Sequence, residues 1–154
     1  MPANPPKGVQ RITTRIAYED PDAALEFLER AFGFPERKRM RIEDQDGSII
    51  LTEIQIADSY LMIGPASSHD IASPRSTGSP TESLMIYVDD VDGHFLRARA
   101  NGAVIIADPC DQYWGDRRYE AKDLEGHLWF FHERTRDVSR EEIEAVEASF
   151  RKGG

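Results

Sequence analysis

The chain has 154 residues, which suffices for one domain, or for two small packed halves, with a sizeable core. Its formal net charge of -9, from 19 basic and 28 acidic residues, argues against nucleic acid as a partner, because affinity for a phosphate backbone needs clustered Lys and Arg. A single cysteine, Cys110, excludes an internal disulfide. The first eleven residues have no apolar run, and no window of about 18 apolar residues occurs, so we expect a cytoplasmic protein with neither a signal peptide nor a membrane segment.

The first elements along the chain are a strand and a helix. Residues 12–18 are rich in β-branched and aromatic side chains and predict a strand. Asp20 is suited to cap a following helix, Pro21 to occupy its first position, and Gly33 to end it. The helix would bury an apolar stripe formed by Ala24, Leu25, Leu28, Ala31 and Phe32.

Three further strands are predicted at residues 37–43, 48–56 and 60–63, joined by short turns. Residues 65–82 are rich in Ser and Pro and have only Ile71 as a large aliphatic residue. This segment is therefore predicted to be an exposed connection.

The pattern then repeats. Residues 83–92 repeat the strand and helix-cap pattern of residues 13–22 at an offset of 70. A second helix, capped by Asp90, would end at Gly102. A strand at residues 104–107 follows. Self-similarity of this length indicates duplication of a structural unit, here a βαβββ module. We predict one α+β domain over residues 1–135, made of modules at about 11–64 and 83–133.

The second module closes with a predicted β-hairpin over residues 117–133. Polar Arg118, Glu120 and Lys122 alternate with apolar residues, and residues 128–131 are apolar. The intervening residues 123–126 suit a tight turn, because Asp bonds to its own backbone and Gly takes a positive φ.

The tail forms a separate element. Ser139 and Glu142 make a capping box, so a C-terminal helix is predicted over residues 139–152. Its apolar side carries Ile143, Val146 and Phe150. That side would pack either on the chain's own sheet or on a second subunit.

Several of these motifs together resemble a known superfamily. They are Asp-x-Asp at the start of each helix, Trp-Gly-Asp-Arg-Arg-Tyr at 114–119 and Asp-Leu-Glu-Gly-His at 123–127. The chain resembles the vicinal oxygen chelate superfamily of glyoxalases, bleomycin-resistance proteins and extradiol dioxygenases. The resemblance implies two tandem modules whose mixed sheets curl around a ligand cavity with helices outside, in a homodimer.

The superfamily is best known for a divalent metal held by His and Glu side chains. The resemblance carries these ligand positions onto Thr13, Ser83 and Phe130, none of which is a ligand of useful affinity. We therefore expect no metal and no other cofactor. His132 shares parity with Phe130, and we expect it to be a solvated or singly hydrogen-bonded side chain near the cavity rim.

Strand parity predicts the cavity lining. Two arginines on that side suggest an anionic or carbonyl-bearing ligand, since a guanidinium binds carboxylates bidentately. Alternatively, each arginine pairs with Glu120 or another acid in a satisfied network. The predicted lining comprises Thr13, Arg15, Ala17, Ser83, Met85, Tyr87, Arg118, Glu120 and Phe130.

A loop at residues 108–115 precedes the hairpin, where a lid over the cavity mouth could be built. Tyr113 and Trp114 would stack on a flat ligand there or, alternatively, Trp114 anchors the loop. Cys110 has no base nearby in the sequence and is expected to be a spectator thiol.

Two functions are compatible with these residues. The first is a metal-free protein of the bleomycin-resistance kind that binds an aromatic or anionic small molecule in the cavity of each sheet. The predicted ligand-binding residues are Arg15, Met85, Tyr87, Trp114, Arg118, Glu120 and Phe130. The alternative is a glyoxalase-like lyase or isomerase with Glu120 as general base and an arginine or Tyr87 stabilising an enolate.

Overall fold

The computed structural model describes residues 1–66 and 70–153, which divide into two compact units. The first unit comprises the described residues up to Thr81 together with Leu124–Gly126. The second comprises Glu82–Asp123 and the chain from His127 onward. Each unit contains one four-stranded mixed sheet, so the predicted tandem α+β fold is confirmed.

The sheet of the first unit has the strand order β1-β4-β3-β2, in which β1 runs parallel to β4 and the other pairs are antiparallel. Its elements are β1 (Arg15–Tyr18), α1 (Pro21–Phe27), β2 (Ile42–Glu43), β3 (Ile49–Ile56), β4 (Ser59–Pro65) and α2 (Pro74–Thr77).

Helix α1 begins and ends as predicted. The Asp20 carboxylate accepts the backbone N–H of Ala23 at 3.0 Å, and Pro21 occupies the first turn. The helix continues through a π-helical turn at Leu28–Phe32 and stops at Gly33, whose φ is 75°. The predicted apolar stripe is buried.

Two predictions in the first unit are wrong in part. Residues 37–43 form a 3-10 turn at Lys38–Met40 and only a two-residue strand, because Arg41 folds back onto Glu36 with two 2.8 Å contacts. Within the connection 65–82, Ser73 is fully buried and donates to the Glu125 carboxylate at 2.6 Å. That hydrogen bond draws the segment inward, just before α2.

The sheet of the second unit has the order β5-β8-β7-β6, with β5 parallel to β8 and the other pairs antiparallel. Its elements are β5 (Ser83–Tyr87), α3 (Val91–Ala100), β6 (Val104–Asp111), β7 (Asp116–Lys122), β8 (Leu128–Arg134) and α4 (Arg140–Lys152).

The predicted hairpin is β7 and β8. Tyr119, Ala121, Trp129 and Phe131 are all fully buried on one face of the pair. The Asp123 carboxylate fixes the turn, because it accepts the backbone N–H of His127 and the indole N–H of Trp129, each at 3.0 Å. The largest buried side chain of the hairpin therefore has a hydrogen-bond acceptor.

Strand β6 is longer than predicted. It continues beyond residue 107 to Asp111, through register shifts that keep Cys110 paired with Arg118. The loop before β7 is therefore reduced to residues 112–115. Cys110 lies in the strand and is exposed.

Helix α4 carries the predicted capping box. It contacts the loop at residues 112–115, where the Phe150 ring meets the edge of Tyr113 at 5.7 Å and the Tyr113 hydroxyl lies 3.4 Å from Glu147. Phe150 remains 63% exposed. Among the described residues, no helix has the length and apolarity needed to cross a membrane.

Candidate functional site

One face of the second sheet carries two adjacent rows of side chains. Strand register places Met85 beside Phe130 and Phe130 beside Glu120. Two residues further along, Tyr87 lies beside His132 and His132 beside Arg118. Because side chains two residues apart along a strand share a face, both rows point to the side opposite the buried core.

A cavity of about 390 Å³ opens on this face. Five of the predicted ligand-binding residues line it: Met85, Tyr87, Trp114, Arg118 and Phe130. Three further residues complete the lining: Ser83, which strand parity predicted on the cavity side, and Asp116 and His132, which were not in the predicted lining.

Arg118 organises the aromatic side of the cavity. Its guanidinium carbon lies 5.4 Å from the centre of the Trp114 ring and 5.1 Å from that of Phe130. A guanidinium over an aromatic face is attracted by the ring quadrupole. The same side chain contacts Glu120 at 3.2 Å, so the predicted network between Arg118 and Glu120 is present. Glu120 is thereby held beside the cavity wall.

Asp116 is the main polar residue of the cavity and is only 1% exposed. Its carboxylate lies 2.7 Å from the Tyr87 hydroxyl, 3.0 Å from Nδ1 of His132 and 3.3 Å from Arg134. Burial raises the pKa of this carboxyl, but hydrogen bonds from the surrounding side chains outweigh burial and hold the pKa below its ordinary value. Asp116 is therefore ionised at neutral pH.

The pKa of Tyr87 shifts in the opposite direction to that of Asp116. Its hydrogen bond to the Asp116 carboxylate, together with partial burial and the charge of that carboxylate, raises the pKa of the Tyr87 phenol. A phenol with a raised pKa keeps its proton at neutral pH. Tyr87 thus acts as a neutral hydrogen-bond donor within the site.

Of the two alternatives expected for His132, solvation is wrong, whereas a hydrogen-bonded side chain is found, with Nδ1 3.0 Å from the Asp116 carboxylate. The side chain is 3% exposed, and its ring lies 5.5 Å from that of Tyr87. The parity of residues 116, 118 and 132 in the hairpin indicated their common face, but not the hydrogen bonds that Asp116 accepts.

Arg15 belongs to the other sheet. In the first unit, register places it beside Met62, and Met62 beside Glu53, so these three side chains form a row like that of Met85, Phe130 and Glu120. The Arg15 guanidinium lies across Gly64, where an added Cβ would collide with it. Glu53 pairs with Arg37 at 2.7 Å.

The aromatic loop is anchored, as one of the two predicted roles requires, and it also borders the cavity. Trp114 lines the cavity, whereas Tyr113 packs edge-on against Trp114 at 5.0 Å on one side and against Phe150 on the other. Gly115, with a φ of 102°, has no room for a side chain because the Arg136 carbonyl lies too close. The loop is therefore anchored by backbone packing as well as by aromatic contacts.

The residues at the family's metal positions do not fit a metal. Thr13 and Ser83 offer only hydroxyl groups, and Phe130 has no donor atom. Divalent first-row metals need converging imidazole, thiolate or carboxylate ligands. Across residues 1–66 and 70–153, no group of three or more His, Cys, Asp or Glu residues is arranged to hold an ion.

Fold and cavity together define a tandem α+β protein with a cavity on one sheet face. The family model of the Glyoxalase/Bleomycin resistance protein/Dioxygenase superfamily matches residues 9–131. The chain belongs to this superfamily.

Several relatives show how this chain compares within the superfamily. TioX from Micromonospora sp. ML1 is 31% identical, with a TM-score of 0.65 over 84% of this chain and 100% of that one. A family enzyme from Burkholderia phytofirmans PsJN, 19% identical, shares the fold with a TM-score of 0.62 over 79% of this chain and 96% of that one. An uncharacterized protein of Mycobacterium bovis is 28% identical over 90% of this chain and 92% of its own length.

Proposed function

We propose that this protein binds a flat aromatic small molecule in the cavity of the second unit, without a metal ion. The observation that carries the proposal is the exposure of Met85 (61%) and Tyr87 (53%) on the face that lines the cavity. Apolar surface left open in a concavity marks binding sites. A ligand lying on these side chains would be stabilised by about 25 cal/mol for each Å² of apolar area removed from water.

The aromatic character of the ligand is supported by the surroundings of Arg118. Its guanidinium already lies over the rings of Trp114 and Phe130. A further flat ring can extend this arrangement by stacking, a geometry worth about 0.5–1.5 kcal/mol beyond area burial. The Arg118 charge also favours an anionic substituent on the ligand.

Binding without a metal is supported by the donor set. Hydroxyl groups at Thr13 and Ser83 and a hydrocarbon ring at Phe130 stand at the positions that the resemblance to the family assigns to ion ligands. Sequestering a ligand needs no Lewis acid. The cavity would instead rely on apolar contact and on the hydrogen bonds of its polar residues.

The alternative, a lyase or isomerase with Glu120 as general base, has less support. The Glu120 carboxylate is engaged by the Arg118 guanidinium at 3.2 Å. A general base must be free to meet the proton of the substrate, whereas this carboxylate already accepts a hydrogen bond from Arg118.

A homodimer is part of the proposal. Val104 and Ile106 are 57% and 49% exposed on β6, which is an edge strand of the second sheet. An apolar edge strand invites pairing with another chain. Light scattering should give a molar mass of twice that of the chain for the wild type. Ile106→Lys should lower this mass to that of one chain. A monomeric wild type would refute the dimer without contradicting the proposal of ligand binding.

The binding proposal is tested by a thermal-shift screen of flat aromatic compounds, followed by titration of the hits. Met85→Ala should weaken binding about tenfold or more, since it removes contact area in the cavity. Leu96→Ala is the matched control, because Leu96 is exposed to a similar degree (57%) but lies on α3. Equal loss in both variants, or no hit among flat aromatic compounds, would overturn the proposal.

A further inference from the structure

The cavity contains a buried pair of titratable groups whose role is not explained by apolar contact. Asp116 and His132 are 1% and 3% exposed, and both line the cavity. Burying an ionised carboxylate is costly unless donors surround it. Here the Tyr87 hydroxyl, His132 and Arg134 all reach it within 3.3 Å.

The hydrogen bond fixes the tautomer of the imidazole. An ionised carboxylate can only accept, so Nδ1 of His132, 3.0 Å from Asp116, carries the proton. In the neutral ring the other nitrogen, Nε2, then holds a lone pair. A histidine oriented in this way by a carboxylate is a typical proton acceptor.

The groups around the imidazole come from all three strands at this point of the sheet. Tyr87 of β5 and Arg118 of β7 flank His132 in register, Asp116 of β7 bonds to its Nδ1, and Arg134 follows on β8. An anion formed beside the imidazole would lie near the Arg118 guanidinium, which also lines the cavity. Its charge would be stabilised there.

We infer that His132 accepts the proton of a weakly acidic hydroxyl group on the ligand, so that the cavity selects hydroxylated aromatic compounds over their ethers. This inference rests on the proposed function. On binding, the ligand O–H bond breaks, its proton moves to Nε2, and the electron pair remains on the ligand oxygen as an aromatic oxyanion. Asp116 is a positioning residue that holds the imidazolium through Nδ1. The proton returns to the ligand on release.

The probes for the test are 7-hydroxycoumarin and 7-methoxycoumarin, which differ only in the acidic proton and its methyl replacement. Ionisation moves the absorption of the hydroxy compound to longer wavelength, which reports the proton directly. Wild-type protein should bind 7-hydroxycoumarin about tenfold more tightly than the ether, a factor that corresponds to about 1.4 kcal/mol. The bound compound should show the anion band at a pH where the free compound is protonated.

His132→Gln should abolish the anion band and the preference while keeping affinity for 7-methoxycoumarin. Asp116→Asn should abolish the band with the ring still in place, because an amide can donate to Nδ1 and so shift the ring proton to Nε2. His94→Gln is the control: His94 contacts Tyr119 and Phe131 on the buried side of the same sheet. His94→Gln should leave the affinities for both coumarins and the anion band unchanged.

The wild-type spectrum decides the inference even if a variant fails to fold. If bound 7-hydroxycoumarin keeps its proton, or if the two probes bind equally, His132 is not the acceptor and the binding proposal stands. Retention of the anion band in folded His132→Gln would also overturn the inference. If neither coumarin binds, the inference fails, and the screen of flat aromatic compounds decides the binding proposal separately.

Discussion

The hydroxyl of Tyr87 on β5 donates a 2.7 Å hydrogen bond to the Asp116 carboxylate on β7, although β8 lies between the two strands. The bond spans the sheet on its cavity side, where His132 of β8 donates to the same carboxylate. Strands β5, β8 and β7 are thereby linked by side chains as well as by their backbone ladders. The hydrogen bonds to Asp116 therefore contribute to the stability of the second unit.

Tyr87→Phe should therefore destabilise the protein by about 1–2 kcal/mol at neutral pH, since a hydrogen bond to a charged acceptor is lost. A carboxyl whose folded pKa is lowered adds stability above its unfolded pKa, about 3.9, and this stability is lost as pH falls through the folded value. The deficit of the variant should thus narrow below about pH 4. Urea unfolding across this range measures it, and a deficit independent of pH would contradict the assignment.

A second prediction concerns the turn of the β7–β8 hairpin. Asp123→Ala removes the acceptor of the buried Trp129 indole N–H and of one backbone N–H, each now bonded at 3.0 Å. We expect a loss of about 2–3 kcal/mol in the free energy of unfolding, because buried donors lose a charged acceptor. Leu124→Ala, at a 42% exposed position of the same turn, should cost less than about 0.5 kcal/mol. Similar losses in the two variants would mean that the carboxylate does not hold the turn.

The hairpin was predictable because its burial alternates with a period of two. Tyr119, Ala121, Trp129 and Phe131 fall on one face, and each is fully buried. The same alternation placed Arg118 on the cavity face, because successive side chains of a strand point to opposite faces and the neighbouring Tyr119 points into the core. Cap and terminus residues likewise defined α1 from local chemistry alone.

The polar centre of the cavity was not predictable in this way. Parity gives the face on which Asp116 lies, but its burial depends on Tyr87, 29 positions away, and on His132, 16 positions away. The strand prediction was wrong at residues 37–41 for a related reason, because the ion pair between Arg41 and Glu36 overrides strand propensity there. Contacts distant in sequence, or between charged side chains, decide such positions.

A third prediction separates the shape of Arg118 from its charge. Arg118→Lys keeps the positive charge but loses the planar group that lies over Trp114 and Phe130. Affinity for a flat aromatic ligand should fall about tenfold, within the range of cation–π energies. Calorimetric titration measures the change.

Arg117→Lys is the matched control for that variant. Arg117 is the adjacent residue, on the other face of β7, where it pairs with Asp92 at 3.0 Å and Asp111 at 3.1 Å. Its replacement should leave ligand affinity within about twofold of the wild type. If both lysine variants weaken binding alike, the effect of Arg118 is one of net charge rather than of stacking.

The last prediction is that metal binding has no part in ligand affinity. Protein purified without chelators should carry no stoichiometric metal, and titration with nickel, cobalt or zinc should not change ligand affinity, since Thr13, Ser83 and Phe130 supply no useful donor set. Elemental analysis and calorimetry measure these outcomes. As a positive comparison, Ser83→His with Phe130→Glu introduces two donor side chains on the cavity face of β5 and β8, and should raise zinc affinity above that of the wild type. About one tightly bound ion per wild-type chain would show instead that the protein recruits a metal through other residues.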